Sequence, residues 1–175
     1  MVIETDRLWL RQFMPEDAEA VFRIQSDPEV MRYTGEAPPA NIEEIRRMLV
    51  ERPIADYGRD GFGRWACIFK TTGELIGGAG LKYLPELDDV DIGYRLRRDC
   101  WGQGLATEAA RACVGYGFKS LHLPRIIGLV EPENVASIRV LEKTGFVADG
   151  EIEYRGEVVS RYVLPRGTAR SMPSL

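Results

Sequence analysis

The sequence predicts one mixed α/β domain, and three observations carry that reading. Strand-like apolar runs alternate with helix-period runs along the chain, with a strand–helix–strand unit near the middle. A glycine-rich turn, Trp101-Gly102-Gln103-Gly104, leads from a strand pattern into a helix pattern. The 175 residues, 45% apolar and 29% charged, suffice for one self-supporting core.

In chain order, Leu8–Phe13 reads as a strand closed by Met14-Pro15. Pro15 favours a helix start, with Ala18, Val21, Phe22 and Gln25 at helical spacing and Asp27-Pro28 as its stop. Asn41 caps a second helix carrying Ile42, Ile45, Met48 and Leu49, with Pro53 near its end. Four strands are expected next, from a strand-like run opening at Gly61-Phe62-Gly63 onward. Among them, Trp65–Phe69 and Leu75–Leu81 flank Thr71-Thr72-Gly73-Glu74 as a hairpin, and Asp89–Leu96 forms a further strand. Leu105 to about Leu121 is an amphipathic helix, and Ile126–Val130 a buried strand. A helix starts at Asn134 and ends at Gly145, whose left-handed conformation Phe146 covers. Two strands, Phe146–Tyr154 and Glu157–Leu164, close the domain through a turn at Arg155-Gly156, and Pro165–Leu175 is expected to be a frayed tail.

Charge and composition narrow the function. A net charge of −4 argues against a surface that coats nucleic acid. The balance is uneven: residues 1–94 sum to −7 and residues 95–143 to +3, which suits a small anionic ligand at the later segment. No apolar run approaches the ~20 residues that span a bilayer. Met1–Leu10 lacks the basic and apolar blocks of a secretion signal, so a cytoplasmic location is expected. Three cysteines without a C-x-x-C pair and a single histidine, His122, give no basis for a disulfide framework or a metal site. Cys100, beside the glycine turn, reads as an incidental thiol.

The stretch from Asp91 to Ala110 carries the chemistry. Glycines at 102 and 104 let backbone N–H groups turn inward, and the helix that follows adds free donors and the positive end of its dipole. Such a turn seats a phosphate or diphosphate, with Arg97, Arg98 and Lys143 as possible supplements. No Gly-x4-Gly-Lys-Ser/Thr string exists, and Thr107 occupies the third glycine place of a Gly-x-Gly-x-x-Gly fingerprint.

The strand Asp91–Leu96, the loop Trp101–Ala109 and the run Asn134–Phe146 together resemble the GNAT acetyltransferase superfamily. They are most similar to the branch containing the ribosomal-protein N-terminal alanine and serine acetyltransferases. Thr5-Asp6-Arg7-Leu8-Trp9-Leu10-Arg11 and Gly73–Gly77 fit the same branch. The resemblance covers residues 5–164. It implies a single α/β (α+β) domain whose mixed, mostly antiparallel sheet has a central splayed parallel strand pair and flanking helices. It also implies acetyl-CoA as donor and an amine acceptor, a protein N-terminus or a small amine, with the protein a monomer or homodimer.

Residue by residue, the family's Gln/Arg-x-x-Gly-x-Gly/Ala pattern falls on Trp101, Gly104 and Ala106. The main chain of Trp101, Gly102, Gln103, Gly104, Leu105, Ala106 and Thr107 would then hold the pyrophosphate. Ile92, Gly93 and Tyr94 would pair their main chain with the pantetheine arm. The Asn134 side chain would bind that arm as well as cap its helix. Ser137, one turn on, would face the thioester sulfur; Leu141 and Glu142 stand where many relatives carry a proton-donating tyrosine, so Ser137 or a water takes that part. Attack requires a neutral amine, and Asp91 is the first candidate to accept its proton, with a solvated strand-end carboxylate as the alternative. Glu108 reads as a support for the loop. Two readings follow: an N-acetyltransferase acting on a cationic amine, or a non-catalytic acetyl-CoA-binding sensor on the same fold.

Overall fold

The computed structural model describes residues 1–167. Residues 168–175, most of the expected tail, lie outside the described residues. A two-residue strand β1 (Ile3–Glu4), too short for any pattern to announce, pairs with β2 (Leu8–Arg11). β2 ends two residues before the expected Phe13. The Arg11 guanidinium reaches forward to both Asp17 oxygens at 2.7 Å, while Asp17 also accepts the Met14 N–H at 2.9 Å, and this turns the chain into a helix.

A short 3₁₀ turn at Pro15–Asp17 leads into α1 (Ala18–Gln25). Asp27-Pro28 ends α1 as expected but also starts α2 (Pro28–Met31): Asp27 caps it by accepting the Glu29 N–H at 2.9 Å, and Pro28 takes the first helical position. Asn41 caps α3 (Ile42–Leu49) through the Glu44 N–H at 2.9 Å. Pro53 does not stop this helix. The backbone widens to a π-type turn over Val50–Ile54 and continues as α4 (Ala55–Asp60), ending at left-handed Gly61. The wider turn accommodates a residue that cannot donate an N–H. With Gly61 ending a helix, the strand-like run at Gly61–Gly63 disappears, and three strands follow where four were expected: β3 (Arg64–Phe69), β4 (Leu75–Leu84) and β5 (Asp89–Leu96).

Beyond them come α5 (Leu105–Lys119), β6 (Arg125–Val130), α6 (Val135–Lys143), β7 (Val147–Tyr154) and β8 (Glu157–Pro165). Pro165 belongs to this last strand, and the Arg166 N–H donates to the Pro124 carbonyl at 2.8 Å, so the chain is still held at the start of the expected tail.

The strands form one sheet in the order β1-β2-β3-β4-β5-β6-β8-β7. Every described pairing is antiparallel except β5 with β6, which touch in parallel at a single register position, Asp91 opposite Ile127. Past that position the two strands part. One face of the sheet carries α5, whose apolar side packs on β4 and β5 with Trp65, Leu81, Ile92, Leu105, Ala109, Cys113 and Ile126 in the core. Trp65 and Tyr116 meet edge to face at 5.1 Å. A smaller cluster, Ala18, Val21, Ile45 and Leu49, fills the other face beneath α1 and α3. Because strand side chains alternate, Asp91, Gly93 and Arg95 face the α1–α4 side, and Ile92, Tyr94 and Leu96 face α5 and α6.

Candidate functional site

The glycine turn folds as its sequence requires. Gly102 (φ +72°) and Gly104 (φ +78°) both lie in the left-handed region, where a side chain is strained. Gly104 precedes α5 with no side-chain cap, and its carbonyl accepts the Glu108 N–H at 3.0 Å. Among the described residues, the N–H groups of Gly102, Gln103, Gly104, Leu105, Ala106 and Thr107 meet no acceptor. Six consecutive free donors at the positive end of a 15-residue helix are an arrangement able to receive an anion. Residue 101 departs from the expectation that its amide belongs to this group. The Trp101 N–H is bound to the Arg98 carbonyl at 3.1 Å, so the free run starts at Gly102. The indole of Trp101 donates to the Leu96 carbonyl at 2.8 Å and leaves its ring half exposed beside the turn.

The neighbouring basic residues are not all available as supplements. Arg97 is bound to Asp99 at 2.7 Å and Glu74 at 3.2 Å, whereas Arg98 and Lys143 are exposed. Cys100 is buried, and burial first, then Asp99, pushes its thiol pKa up, so it is not an activated thiolate.

Asp91 sits where the parallel strands part. It is the third residue of β5 rather than its opening, and it is buried, which removes the solvated strand-end reading. One carboxylate oxygen accepts the Leu129 N–H from β6 at 3.1 Å; the other is paired with Arg64. Arg64 crosses from β3 over β4 to β5, donating to the carbonyls of Gly80 and Asp91 on its way. Gly93 makes that crossing possible: a methyl there would lie 2.5 Å from the guanidinium carbon. Burial drives the Asp91 pKa above the ordinary aspartate value, against the opposing pull of Arg64 and the Leu129 amide.

On the other face of β5, Tyr94 reaches across to α6. Its hydroxyl donates to the Ser137 carbonyl at 2.9 Å and lies 3.0 Å from Ser137 Oγ. Burial holds the phenol well above its ordinary pKa, so it stays protonated. Asn134 accepts the Ser137 N–H at 3.1 Å as the helix cap, and its amide nitrogen has no acceptor among the described residues. Ile92 and Leu105 turn their side chains into the core and offer only main chain to a ligand. The structure thus joins Tyr94, Ser137 and Asn134 through hydrogen bonds between β5 and α6, while Asp91 binds β6 where the parallel strands part.

This architecture matches a known family. The family described as an acetyltransferase (GNAT) domain matches residues 7–147. The chain belongs to the GNAT acetyltransferase family. Among curated relatives, an uncharacterized N-acetyltransferase p20 of Bacillus licheniformis is 38% identical over 148 residues, covering 83% of this chain and 82% of the relative. The spermidine N(1)-acetyltransferase of Escherichia coli (strain K12) is 29% identical over 157 residues, covering 87% and 80%. A crystal structure of a GNAT-family acetyltransferase from Bacillus anthracis aligns with TM-score 0.77 at 32% identity, covering 93% of this chain and 96% of that one. As a GNAT acetyltransferase the chain is an acetyl-CoA-dependent acyltransferase, and the six unpartnered amides at a helix start suit the anionic diphosphate of that donor.

The GNAT motifs led directly to the turn, the cap and Ser137. Three side-chain contacts beside these residues carry no signal in those motifs. Arg64 holds Asp91 from a strand 27 positions away, and no local pattern marks it. The family pattern assigns Tyr94 only its main chain, whereas in the structure its hydroxyl meets Ser137. Arg7 stands in the N-terminal motif with no role of its own, whereas in the structure it touches the glycine turn.

Proposed function

We propose that this GNAT enzyme transfers the acetyl group of acetyl-CoA to a primary amine on a cationic acceptor, by direct attack within a ternary complex. The observation that carries the reading is the run of free amides from Gly102 to Thr107 beside the parted β5–β6 pair. The donor supplies an acetyl thioester, a carbonyl open to attack by a neutral amine. Amides 102–107 hold its diphosphate; the main chain of Ile92, Gly93 and Tyr94 and the Asn134 amide align its pantetheine arm. Trp101 contributes its exposed indole face beside the loop rather than its N–H. A main-chain N–H of residues 92–94 stabilises the charge that develops on the carbonyl oxygen.

Asp91 and Ser137 lie toward opposite sides of β5, which separates the two proton transfers. Asp91, on the α1–α4 side, accepts the amine proton through water, and its raised pKa suits that role. Ser137, on the α6 side, gives its hydroxyl proton to the departing thiolate and regains one from water, while the Tyr94 hydroxyl beside it stays protonated and holds the serine in place. The acceptor enters from the α1–α4 side. Glu131 and Glu157 lie close together there: burial first and then Glu157 raise the Glu131 pKa, a like-charge contact that a cationic acceptor would relieve. Gly35, in the loop before α3, approaches the Glu157 carboxylate. The similarity to a spermidine acetyltransferase supports a polyamine-like acceptor, and the motif likeness noted from sequence supports a peptide α-amine. We read residues 5–164 as the whole of this domain.

Thermal-shift titration with acetyl-CoA, followed by thiol release against spermidine, aminoglycosides and short peptides with free N-termini, tests the proposal. Stabilisation by acetyl-CoA with turnover on at least one amine is expected. Stabilisation without turnover on any of them would favour the sensor reading, and no stabilisation would contradict the donor site.

A further inference from the structure

The glycine turn is held from outside by a segment distant in sequence. Arg7, in the turn between β1 and β2, donates from Nη1 to the Gln103 carbonyl at 2.9 Å. Its Nε and Nη2 both reach Glu108 Oε2 at 2.6 Å. The other oxygen of Glu108 accepts the Arg7 N–H at 2.9 Å and the Thr5 hydroxyl at 2.6 Å. Thr5 is buried and closes its own turn through the Leu8 N–H at 2.9 Å, so the base from which Arg7 extends is fixed.

Two consequences follow from elementary geometry and charge. In a trans peptide the carbonyl and the next N–H point in opposite directions. Holding the Gln103 carbonyl toward Arg7 therefore directs the Gly104 N–H away from it, to the side where the amides have no acceptor. The second consequence is electrostatic. Glu108 sits in the first turn of α5, within the end that would receive a diphosphate, and its hydrogen bonds keep it ionised at neutral pH against the effect of burial. Arg7 neutralises that carboxylate where it would otherwise repel the ligand.

We propose that Arg7 is a positioning residue for donor binding: it orients the 103–104 peptide and masks Glu108, so that the turn accepts the diphosphate of CoA. This inference rests on the donor-site reading above. It is specific to the diphosphate and leaves the pantetheine contacts on β5 and α6 untouched.

Calorimetric binding of CoA and of pantetheine, which has no phosphate, to the full-length chain separates these roles. Arg7→Ala is expected to weaken CoA by roughly tenfold or more, the scale of one charge-assisted hydrogen bond, while pantetheine affinity stays within about twofold. Arg7→Lys keeps the charge and one donor and is expected to lose less CoA affinity than Arg7→Ala. Unchanged CoA affinity in both variants, or an equal loss toward CoA and pantetheine, would overturn the proposal and leave Arg7 a purely structural residue. Failure of the wild-type chain to bind CoA would instead overturn the donor-site reading, and this inference with it.

Discussion

Gly104→Val is expected to weaken acetyl-CoA binding by at least ~100-fold while leaving the fold intact. Gly104 holds φ +78° and ψ 3°, a conformation that costs a β-branched residue about 1–3 kcal/mol, so the valine turn relaxes by rotating the peptides on either side. Those peptides carry the amides aimed at the diphosphate. Each amide–phosphate bond is charge-assisted, and loss of two of them corresponds to about 3 kcal/mol or more, a factor beyond ~100. The fold survives because the side chain enters open space: the nearest atom to a Cβ at 104 is Arg7 Nη2, at 3.7 Å. Calorimetric Kd values together with the unfolding midpoint check both halves. Unchanged affinity would remove Gly104 from the seat.

Asp91→Asn is expected to lower kcat by about 10²–10⁴-fold, the range of a lost general base, with little change in acetyl-CoA affinity. The asparagine oxygen can still accept the Leu129 N–H, which preserves the point where the strands part. The pH dependence sharpens this test. Because burial raises the Asp91 pKa, the wild-type rate should fall on the acid side at a pH above the ordinary aspartate range, and the variant should lack that limb. The stability linkage has the matching sign. A carboxyl with a raised folded pKa contributes stability below its unfolded pKa, and that contribution is lost as pH rises through the folded value. The ionised Asp91 is therefore maintained against its own solvation cost, with Arg64 as its counter-charge. Wild-type kcat in the variant across pH would confine Asp91 to holding the strands.

What was legible in the sequence was local. Asn41 and Asn134 announced their helices because an asparagine before an apolar helical stripe satisfies the first free N–H groups. β5 appeared with its observed bounds because Asp89–Leu96 lies between a turn and a charged run. Gly102 and Gly104 marked a left-handed turn for a physical reason, the absence of Cβ. What sequence reasoning missed was set by tertiary context. Pro53 ordinarily stops a helix, but the wider turn around it lets α3 run on into α4. The Arg7–Glu108 contact spans 101 positions and Arg64–Asp91 spans 27, and side-chain partners at such distances leave no periodic trace. For Asp91 the sequence leaves a candidate base and a solvated strand-end carboxylate both open, because nothing local shows that β4 and β6 flank it and that Arg64 reaches it across Gly93.

A crystal structure of the protein with bound CoA addresses the central claim most directly. The account predicts diphosphate oxygens within about 2.7–3.2 Å of backbone nitrogens between Gly102 and Thr107, with Gly104 still left-handed and Arg7 still on the Gln103 carbonyl. A diphosphate held elsewhere by side chains alone, with those six amides facing bulk solvent, would contradict it.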